Sequence, residues 1–360
     1  ARNETTGPYF AGGNGTVAVS ASYYAGGPLP DADVTWQVTT NQSHYNPPNW
    51  PDFTFGEWVP WWDFGKPMAG PMIESGPMMP GFPGFGNGKV ETFTGKTDAN
   101  GEHFLRLDFD QGTDMQPTSV IAQASVMDVN RQAWAGTTTL LVHPANVYVG
   151  LRSDRMFVEQ GTPIKVDFIV TDLDGKPVAG RPVEMTAARL EYKYQDGTWK
   201  EVEVDPQVCK QASAENPSTC TFETPVGGTY RITAIVTDDQ GRQNMSRLTR
   251  WVSGGKTPPS RNVQMEQLTL IPDKKDYQPG ETAHILVQAP FSPAEGLLTI
   301  NRSGIVETRR FALPEGSASL DIPIEEKYIP NLNVQVDVNG SAPRLDDQGN
   351  PVVDVPARPA

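Results

Sequence analysis

The sequence predicts an all-β protein made of tandem antiparallel β-sandwiches with immunoglobulin-like or fibronectin-like architecture. Apolar and polar residues alternate with a period of two in many short segments. Turn signals rich in Gly, Pro and Asp separate these segments at intervals of roughly 8–12 residues, which is typical of sandwiches. Segments with helical spacing and helix caps are nearly absent.

The alternating segments are distributed along the whole chain. Each has one apolar face suited to a core and one polar face suited to water, as half-buried antiparallel strands require. Clear examples lie at 17–23, 34–38, 105–109, 164–170, 230–236 and 332–338.

Composition limits the class of protein further. The chain has 360 residues, so about two to four domains are expected. Its formal net charge is −14, and a chain this acidic is repelled by phosphate backbones, so we expect no nucleic-acid partner. No apolar run reaches the length of about 18 residues needed to span a bilayer, so no transmembrane segment is expected.

Internal repeats set the expected number of domains. The stretches 154–161 and 273–280 resemble each other, and each precedes an alternating strand. The stretches 24–32 and 171–180 both combine a Gly-containing turn with a Pro-containing bend. The same order of units therefore begins three times along the chain.

These repeats predict two complete sandwiches and a third that is partial or split. The first is expected at 1–145, with a long aromatic, Pro-rich and Gly-rich insertion at 46–88. The second is expected at 146–255, followed by a linker at 256–264. The third is expected at 265–360, where it ends in a Pro-rich tail.

Cys209 and Cys220 are the only cysteines, and we predict that they form a disulfide. The polar, turn-rich residues between them can double back and bring the two Cα atoms within disulfide distance. Disulfides persist in oxidising compartments, so the pair indicates the periplasm or the cell exterior; two reduced thiols are the alternative. The four histidines are scattered, which disfavours zinc.

The insertion at 46–88 is the candidate segment for a binding role. It contains Trp50, Trp58, Trp61 and Trp62 together with several Phe and Met residues. One interpretation is an exposed aromatic and Met surface for a partner or ligand, with the four tryptophans as candidate contacts. The other interpretation is an irregular loop that packs its aromatics against a sandwich.

No catalytic constellation is visible, so we expect no enzyme activity, no cofactor and no metal. Neither a G-x-S-x-G elbow nor an H-E-x-x-H motif occurs. Several Asp residues sit beside Gly in expected turns, where calcium ligation is one interpretation. Ordinary turn chemistry is the favoured one, because no EF-hand spacing is present. These residues are Asp172, Asp174, Asp238, Asp239, Asp346 and Asp347.

A series of short motifs resembles the macroglobulin-like domains of bacterial α2-macroglobulins. Singly these motifs are weak, but they follow one another in order over nearly the whole chain. They lie at 46–50, 53–56, 241–244, 251–252, 273–274, 277–281, 285–291, 297–302, 334–338 and 342–349.

This resemblance implies a secreted or periplasmic protease trap. In that family a protease cuts an exposed bait segment, and the sandwiches rearrange to enclose it. Many members also carry a Cys-x-Glu-Gln thioester, but neither Cys209 nor Cys220 is followed by that sequence. The chain is also far shorter than a whole family member. We therefore expect a fragment of scaffold domains, with the tail 343–360 as a connection or, alternatively, as bait.

Two functions from different classes remain. The first is a non-catalytic scaffold fragment of a broad-spectrum protease inhibitor, whose partners are proteases and other domains of the same chain. The second is an extracellular module of immunoglobulin-like domains whose loop at 46–88 binds a glycan or a cell-surface partner. Both place the chain in the periplasm, outside the cell or in the cell envelope.

Overall fold

The computed structural model describes most of the chain. The described residues are 1–24, 26–60, 89–111, 115–128, 130–195, 198–254, 268–342, 344, 346, 352 and 358–359. Strands make up 60% of the structure and helix 1%, so the predicted all-β class is confirmed. The described helix is a single 3-10 turn, Glu326–Tyr328.

Residues 1–143 supply nine of the described strands. They are β1 (Arg2–Asn3), β2 (Tyr9–Phe10), β3 (Asn14–Ser20), β4 (Asp33–Gln42), β5 (Thr54–Phe55), β6 (Lys89–Lys96), β7 (Glu102–Asp108), β8 (Thr118–Met127) and β9 (Ala133–His143). Eight of these build the first sandwich, from a sheet in the order β1-β3-β7 and a sheet in the order β2-β9-β8-β4-β6. Val34, Trp36 and Val38 point into its core, as the alternation in β4 predicts.

The second sandwich begins three residues after β9 ends. Its described strands are β10 (Val147–Arg152), β11 (Phe157–Val158), β12 (Ile164–Asp172), β13 (Pro182–Gln195), β14 (Thr198–Ala212), β15 (Ser218–Phe222), β16 (Gly228–Thr237) and β17 (Gln243–Val252). One sheet has the order β11-β17-β16-β13-β14, and the other has the order β15-β12-β10-β5. The strand β5 therefore comes from the connection between β4 and β6 but joins a sheet of the second sandwich.

The third sandwich follows residue 268. Its described strands are β18 (Thr269–Pro272), β19 (Thr282–Gln288), β20 (Ala294–Asn301), β21 (Ile305–Leu313), β22 (Ser317–Pro323), β23 (Asn333–Ala342) and β24 (Arg358–Pro359). They form a sheet in the order β18-β19-β22 and a sheet in the order β21-β20-β23-β24.

Each pair of sheets encloses its own apolar core. The largest fully buried side chains of the first two cores include Trp36, Phe168 and Phe222. In the third core, Leu298 and Ile300 alternate with exposed or half-buried neighbours along β20. Burial of these alternating faces is the main stabilising contribution to each sandwich.

Candidate functional site

The described part of the insertion forms a continuous segment across the second sandwich, which we call the strap (residues 45–58). Its strand β5 pairs antiparallel with β10, with Phe55 opposite Gly150. Beyond β5 the strap continues along β17, where the N–H of Arg247 donates to the carbonyl of Gly56 over 2.9 Å. The N–H of Trp58 donates in turn to the carbonyl of Arg247 over 3.0 Å. The strap is therefore part of the second sandwich, although the sequence places it within the first.

The start of the strap is fixed to the turn that follows β12, on the connection to β13. The hydroxyl of Tyr45 donates to the carbonyl of Leu173 over 2.6 Å, and the indole Nε1 of Trp50 donates to the carbonyl of Gly175 over 2.9 Å. Gly175 has a φ of 77°, and a Cβ there would lie 2.0 Å from the carbonyl oxygen of Pro48. Only glycine permits this close approach of the two backbones.

The middle of the strap is buried against the outer face of β10 and β12. Phe53 and Phe55 form a cluster with Tyr148 and Ile169, side chains that point away from the core of the second sandwich. Gly150 lies under the ring of Phe55, where a Cβ would approach the ring to 2.6 Å. The strap thus covers an apolar sheet face that would otherwise contact water.

The junction between the first and second sandwiches contains a buried histidine. The Nδ1 atom of His143 lies 2.8 Å from the hydroxyl oxygen of Tyr148. The ring of Tyr45 contacts the His143 imidazole edge-on at 4.8 Å between centroids. Burial lowers the pKa of His143 from its ordinary value of 6.5 to about 4. The strap therefore begins against a neutral imidazole at physiological pH.

A carboxylate strengthens the same junction. Asp238 is buried, and it accepts hydrogen bonds from the N–H of Asn146 at 3.1 Å and from the guanidinium of Arg242 at 2.8 Å. Burial alone would raise the pKa of Asp238, but the hydrogen bonds lower it overall. The guanidinium of Arg242 also stacks on Phe10 of the first sandwich, 4.1 Å from the ring centroid.

The end of the strap reaches the junction between the second and third sandwiches. A cluster there joins Phe157 and Trp251 of the second sandwich to Ile271 and Leu286 of the third. The ring of Trp58 packs against this cluster and meets Trp251 edge-on, with 6.1 Å between centroids. One segment of the first sandwich's sequence therefore runs from the junction with the first sandwich to the cluster that joins the second and third.

Trp58 also covers a buried cation. The guanidinium of Arg250 lies 5.0 Å from the centroid of the Trp58 ring, and Arg250 is 3% exposed. Its Nη1 donates to the carbonyl of Thr249 over 2.7 Å, whereas its Nε has no hydrogen-bond partner among the described residues. Burial lowers the pKa of Arg250 to about 10.

The structure describes two of the four candidate tryptophans. Trp50 and Trp58 are half-buried in internal contacts, and Trp61 and Trp62 lie outside the described residues. Sequence reasoning missed that the strap belongs to the second sandwich, and it missed His143 and Arg250. One signal was available, because Val147–Leu151 is apolar without alternation, and a strand buried on both faces has this pattern.

Cys209 and Cys220 form a disulfide, with 6.2 Å between their Cα atoms. Cys209 lies on β14 and Cys220 on β15, which are edge strands of the two different sheets of the second sandwich. The disulfide therefore closes one open side of this sandwich covalently.

The Asp residues of the turns serve the backbone. Oδ1 of Asp172 accepts from the N–H groups of Asp174 and Lys176, and Oδ1 of Asp238 accepts from those of Gln240 and Arg242. Asp98 and Asp128 repeat this arrangement in the first sandwich. Asp239 pairs with Arg181. No group of three potential metal ligands occurs in the described ranges, and Asp347 lies outside them.

The motif at 273–281 forms a hydrogen-bonded corner of the third sandwich. The hydroxyl of Tyr277 donates to Oδ1 of Asp273 over 2.6 Å, and the N–H of His284 donates to the same oxygen over 3.0 Å. Lys274 and Glu281 form an ion pair at 2.8 Å. Burial and the contact with Asp273 raise the pKa of Tyr277. These residues hold the entry to β19.

The fold and the strap define a class of protein, namely scaffolds of serial antiparallel sandwiches held together by shared segments. Comparison with known proteins sharpens this class. Residues 268–355 match the family model "Alpha-2-macroglobulin bait region domain". The chain is 22% identical over 334 residues to "Alpha-2-macroglobulin homolog" of Nostoc sp., which covers 91% of this chain and 16% of that protein. The predicted resemblance to the bacterial α2-macroglobulin family is thereby confirmed.

Two further proteins are similar to this chain. The chain is 22% identical over 393 residues to "Circularly permutated Ras protein 2" of Dictyostelium discoideum, with 93% of this chain and 9% of that protein covered. The solved structure of native Escherichia coli α2-macroglobulin aligns with 96% of this chain and 22% of its own, with 16% identity and a TM-score of 0.46. The chain thus spans 16% and 9% of the length of the two curated relatives. Within the described residues, no helix is long and apolar enough to cross a bilayer.

Proposed function

We propose that this chain is a non-catalytic scaffold segment of a bacterial α2-macroglobulin-like inhibitor that traps proteases after bait cleavage. The observation that carries the proposal is the bait region match at 268–355, which includes the third sandwich and most of the tail. The partners are proteases, which the whole protein meets, and other domains of the same polypeptide.

The domain organisation that we propose follows the repeats. Sandwiches at 1–145, 146–255 and 265–360 are joined at 256–264, and the insertion at 46–88 departs from the first. Three separate apolar cores support this division. The strap adds a feature that a string of independent domains would lack, because it links the first sandwich's sequence to both of its neighbours.

We place the protein in the periplasm, outside the cell or in the cell envelope. The disulfide between Cys209 and Cys220 supports this location, because disulfides are rare where glutathione and thioredoxin keep thiols reduced. The alternative function, a glycan-binding or cell-surface-binding module, gains nothing from Trp50 and Trp58, since both rings pack internally.

The experiment that tests the proposal uses the whole protein that contains this chain. It is incubated with trypsin or elastase and analysed by size-exclusion chromatography and intact mass spectrometry. We expect a first cut at a limited site, a compact form, and retained protease activity on small peptides with lost activity on large substrates. Protease blocked at its active site is the control and should cause no change. Cleavage with an unchanged hydrodynamic radius and unprotected large substrates contradicts the proposal.

A further inference from the structure

We propose that the Trp58 end of the strap is a releasable latch, which fixes the third sandwich against the second when seated and frees it when lifted. The latch consists of Trp58, Arg250 and Trp251 together with Ile271 and Leu286 of the third sandwich. The inference concerns the intact chain and goes beyond the proposed function, since it requires no protease.

Trp58 is positioned to affect the packing of two sandwiches at once. Its main-chain N–H is bonded to Arg247 of β17, and its ring packs on the cluster that joins β17 to β18 and β19. Lifting the ring would remove packing from the cluster that contains Ile271 and Leu286. The third sandwich would then lose packing that fixes its orientation.

The middle of the strap and its Trp58 end are held by different contacts. At β5 the strap has backbone pairing to β10, and Phe55 is 1% exposed among apolar neighbours. The Trp58 end is also bonded through its backbone, to Arg247 of β17, but its side chains are more exposed, since Trp58 is half-buried and Glu57 is exposed. Glu57 and Arg247 form an ion pair at 3.6 Å near the surface, where such pairs add little stability. The strap should therefore open from the Trp58 end.

Arg250 makes the seated state less favourable than a purely apolar contact. Burial lowers the pKa of Arg250, its Nε has no hydrogen-bond partner among the described residues, and no described carboxylate forms an ion pair with it. The Trp58 ring provides partial compensation through a cation–π contact. When the ring lifts, water can solvate the guanidinium, and this solvation offsets part of the lost packing. This offset keeps the free-energy difference between the seated and lifted states small, as a two-state element requires.

The first test measures the spacing of the two sandwiches. Spin labels are attached at E215C and E307C in the full chain, where both positions are exposed, and the distance distribution is recorded by pulsed electron paramagnetic resonance. We expect a narrow distribution for the parent chain, for Trp50→Ala and for Trp58→Phe, and a broadened one for Trp58→Ala. A distribution for Trp58→Ala as narrow as that of Trp50→Ala overturns the proposal.

The second test addresses the buried cation. Arg250→Met keeps the length and apolar character of the side chain but removes the charge, and buried charges replaced in this way are often tolerated or stabilising. We expect slower hydrogen exchange at the Trp58 amide, by about tenfold if the gain is about 1.4 kcal/mol. Exchange that is unchanged or faster in folded Arg250→Met overturns the role of Arg250. If that variant does not fold, the Trp58→Ala variant decides. Faster exchange of the amide at position 58 with unchanged exchange at Phe55 supports the latch. Equal changes at both amides reject it.

Discussion

The two junctions of the molecule are built differently. Between the first and second sandwiches, several buried polar groups are paired, as with Asp238 and Arg242 or His143 and Tyr148, although the buried Oδ1 of Asn146 has no hydrogen-bond partner among the described residues. Between the second and third, two hydrogen bonds cross the junction, and apolar rings surround Arg250, whose buried Nε has no hydrogen-bond partner in the part of the chain that the structure describes. Paired buried groups hold one geometry strongly, because breaking them leaves an unsatisfied group. The comparison therefore supports the proposal that the chain bends at the second junction more readily than at the first.

The largest expected effect comes from truncating Phe55, the buried residue of the strap that lies between the two junctions. Phe55→Ala deletes a ring that is 1% exposed, so we expect a loss of about 3–5 kcal/mol in the free energy of unfolding. Chemical denaturation measures it. The matched control is Phe104→Ala, because Phe104 is 49% exposed and its loss should cost little. Equal losses for the two variants would mean that the strap is not packed as described.

Removing the disulfide tests whether the difference between the two junctions depends on the stability of the second sandwich. Replacing Cys209 and Cys220 with Ala opens one side of that sandwich, and we expect a loss of about 3 kcal/mol from loop-closure entropy. Both junctions lie on other strands, so the amides of Gly56 and Trp58 should keep the same relative rates of hydrogen exchange as in the parent chain. Loss of protection throughout the strap would show that the disulfide, not the strap, fixes the junctions.

Acid should weaken the first junction specifically. The pKa of His143 is about 4 in the folded chain and near 6.5 when unfolded, so the unfolded chain binds the extra proton between these values. Its contribution to stability is complete above pH 6.5 and is lost as the pH falls toward 4. The loss amounts to up to about 3 kcal/mol, since each unit of pKa difference corresponds to about 1.4 kcal/mol.

Denaturation profiles at several pH values check this expectation. The variant His143→Asn should show a flatter dependence of unfolding free energy on pH between 6.5 and 4 than the parent chain. Identical slopes for parent and variant would show that His143 is not buried in its neutral form.

The smallest expected effect is at the start of the strap. Tyr45→Phe removes only the hydroxyl that donates to the carbonyl of Leu173, and we expect a loss of about 1 kcal/mol. Thermal unfolding of the variant and the parent chain measures it. A loss several times larger would indicate that this end, and not β5, is the main anchor.

The sequence predicted the regular parts of this molecule for a physical reason. In β16 the residues Tyr230, Ile232, Ala234 and Val236 are buried alternately, so the period of two is a direct imprint of one-sided burial. The turn role of Asp172 was also predictable, because its hydrogen bonds span only four residues. Local signals sufficed wherever the determining contacts were local.

The strap and the buried groups were harder to predict, because they depend on distant residues. β5 has only two residues and carries no period, and its partner Gly150 lies about a hundred positions away in the sequence. The resemblance to α2-macroglobulins rested on short local motifs, two of them in the strap and others within the sandwiches, such as Asp273 with Tyr277. Nothing in it specified which sandwich the insertion would cover, or that Arg250 would be enclosed by Trp58.

The most direct measurement of the central claim is residue-resolved hydrogen exchange along the strap of the unmodified chain. If the strap is part of the second sandwich, the amides of Phe55 and Gly56 should be protected nearly as well as those of β10, with protection falling at Trp58. Uniformly fast exchange from Tyr45 to Trp58, at the rate of an unstructured peptide, would contradict this account.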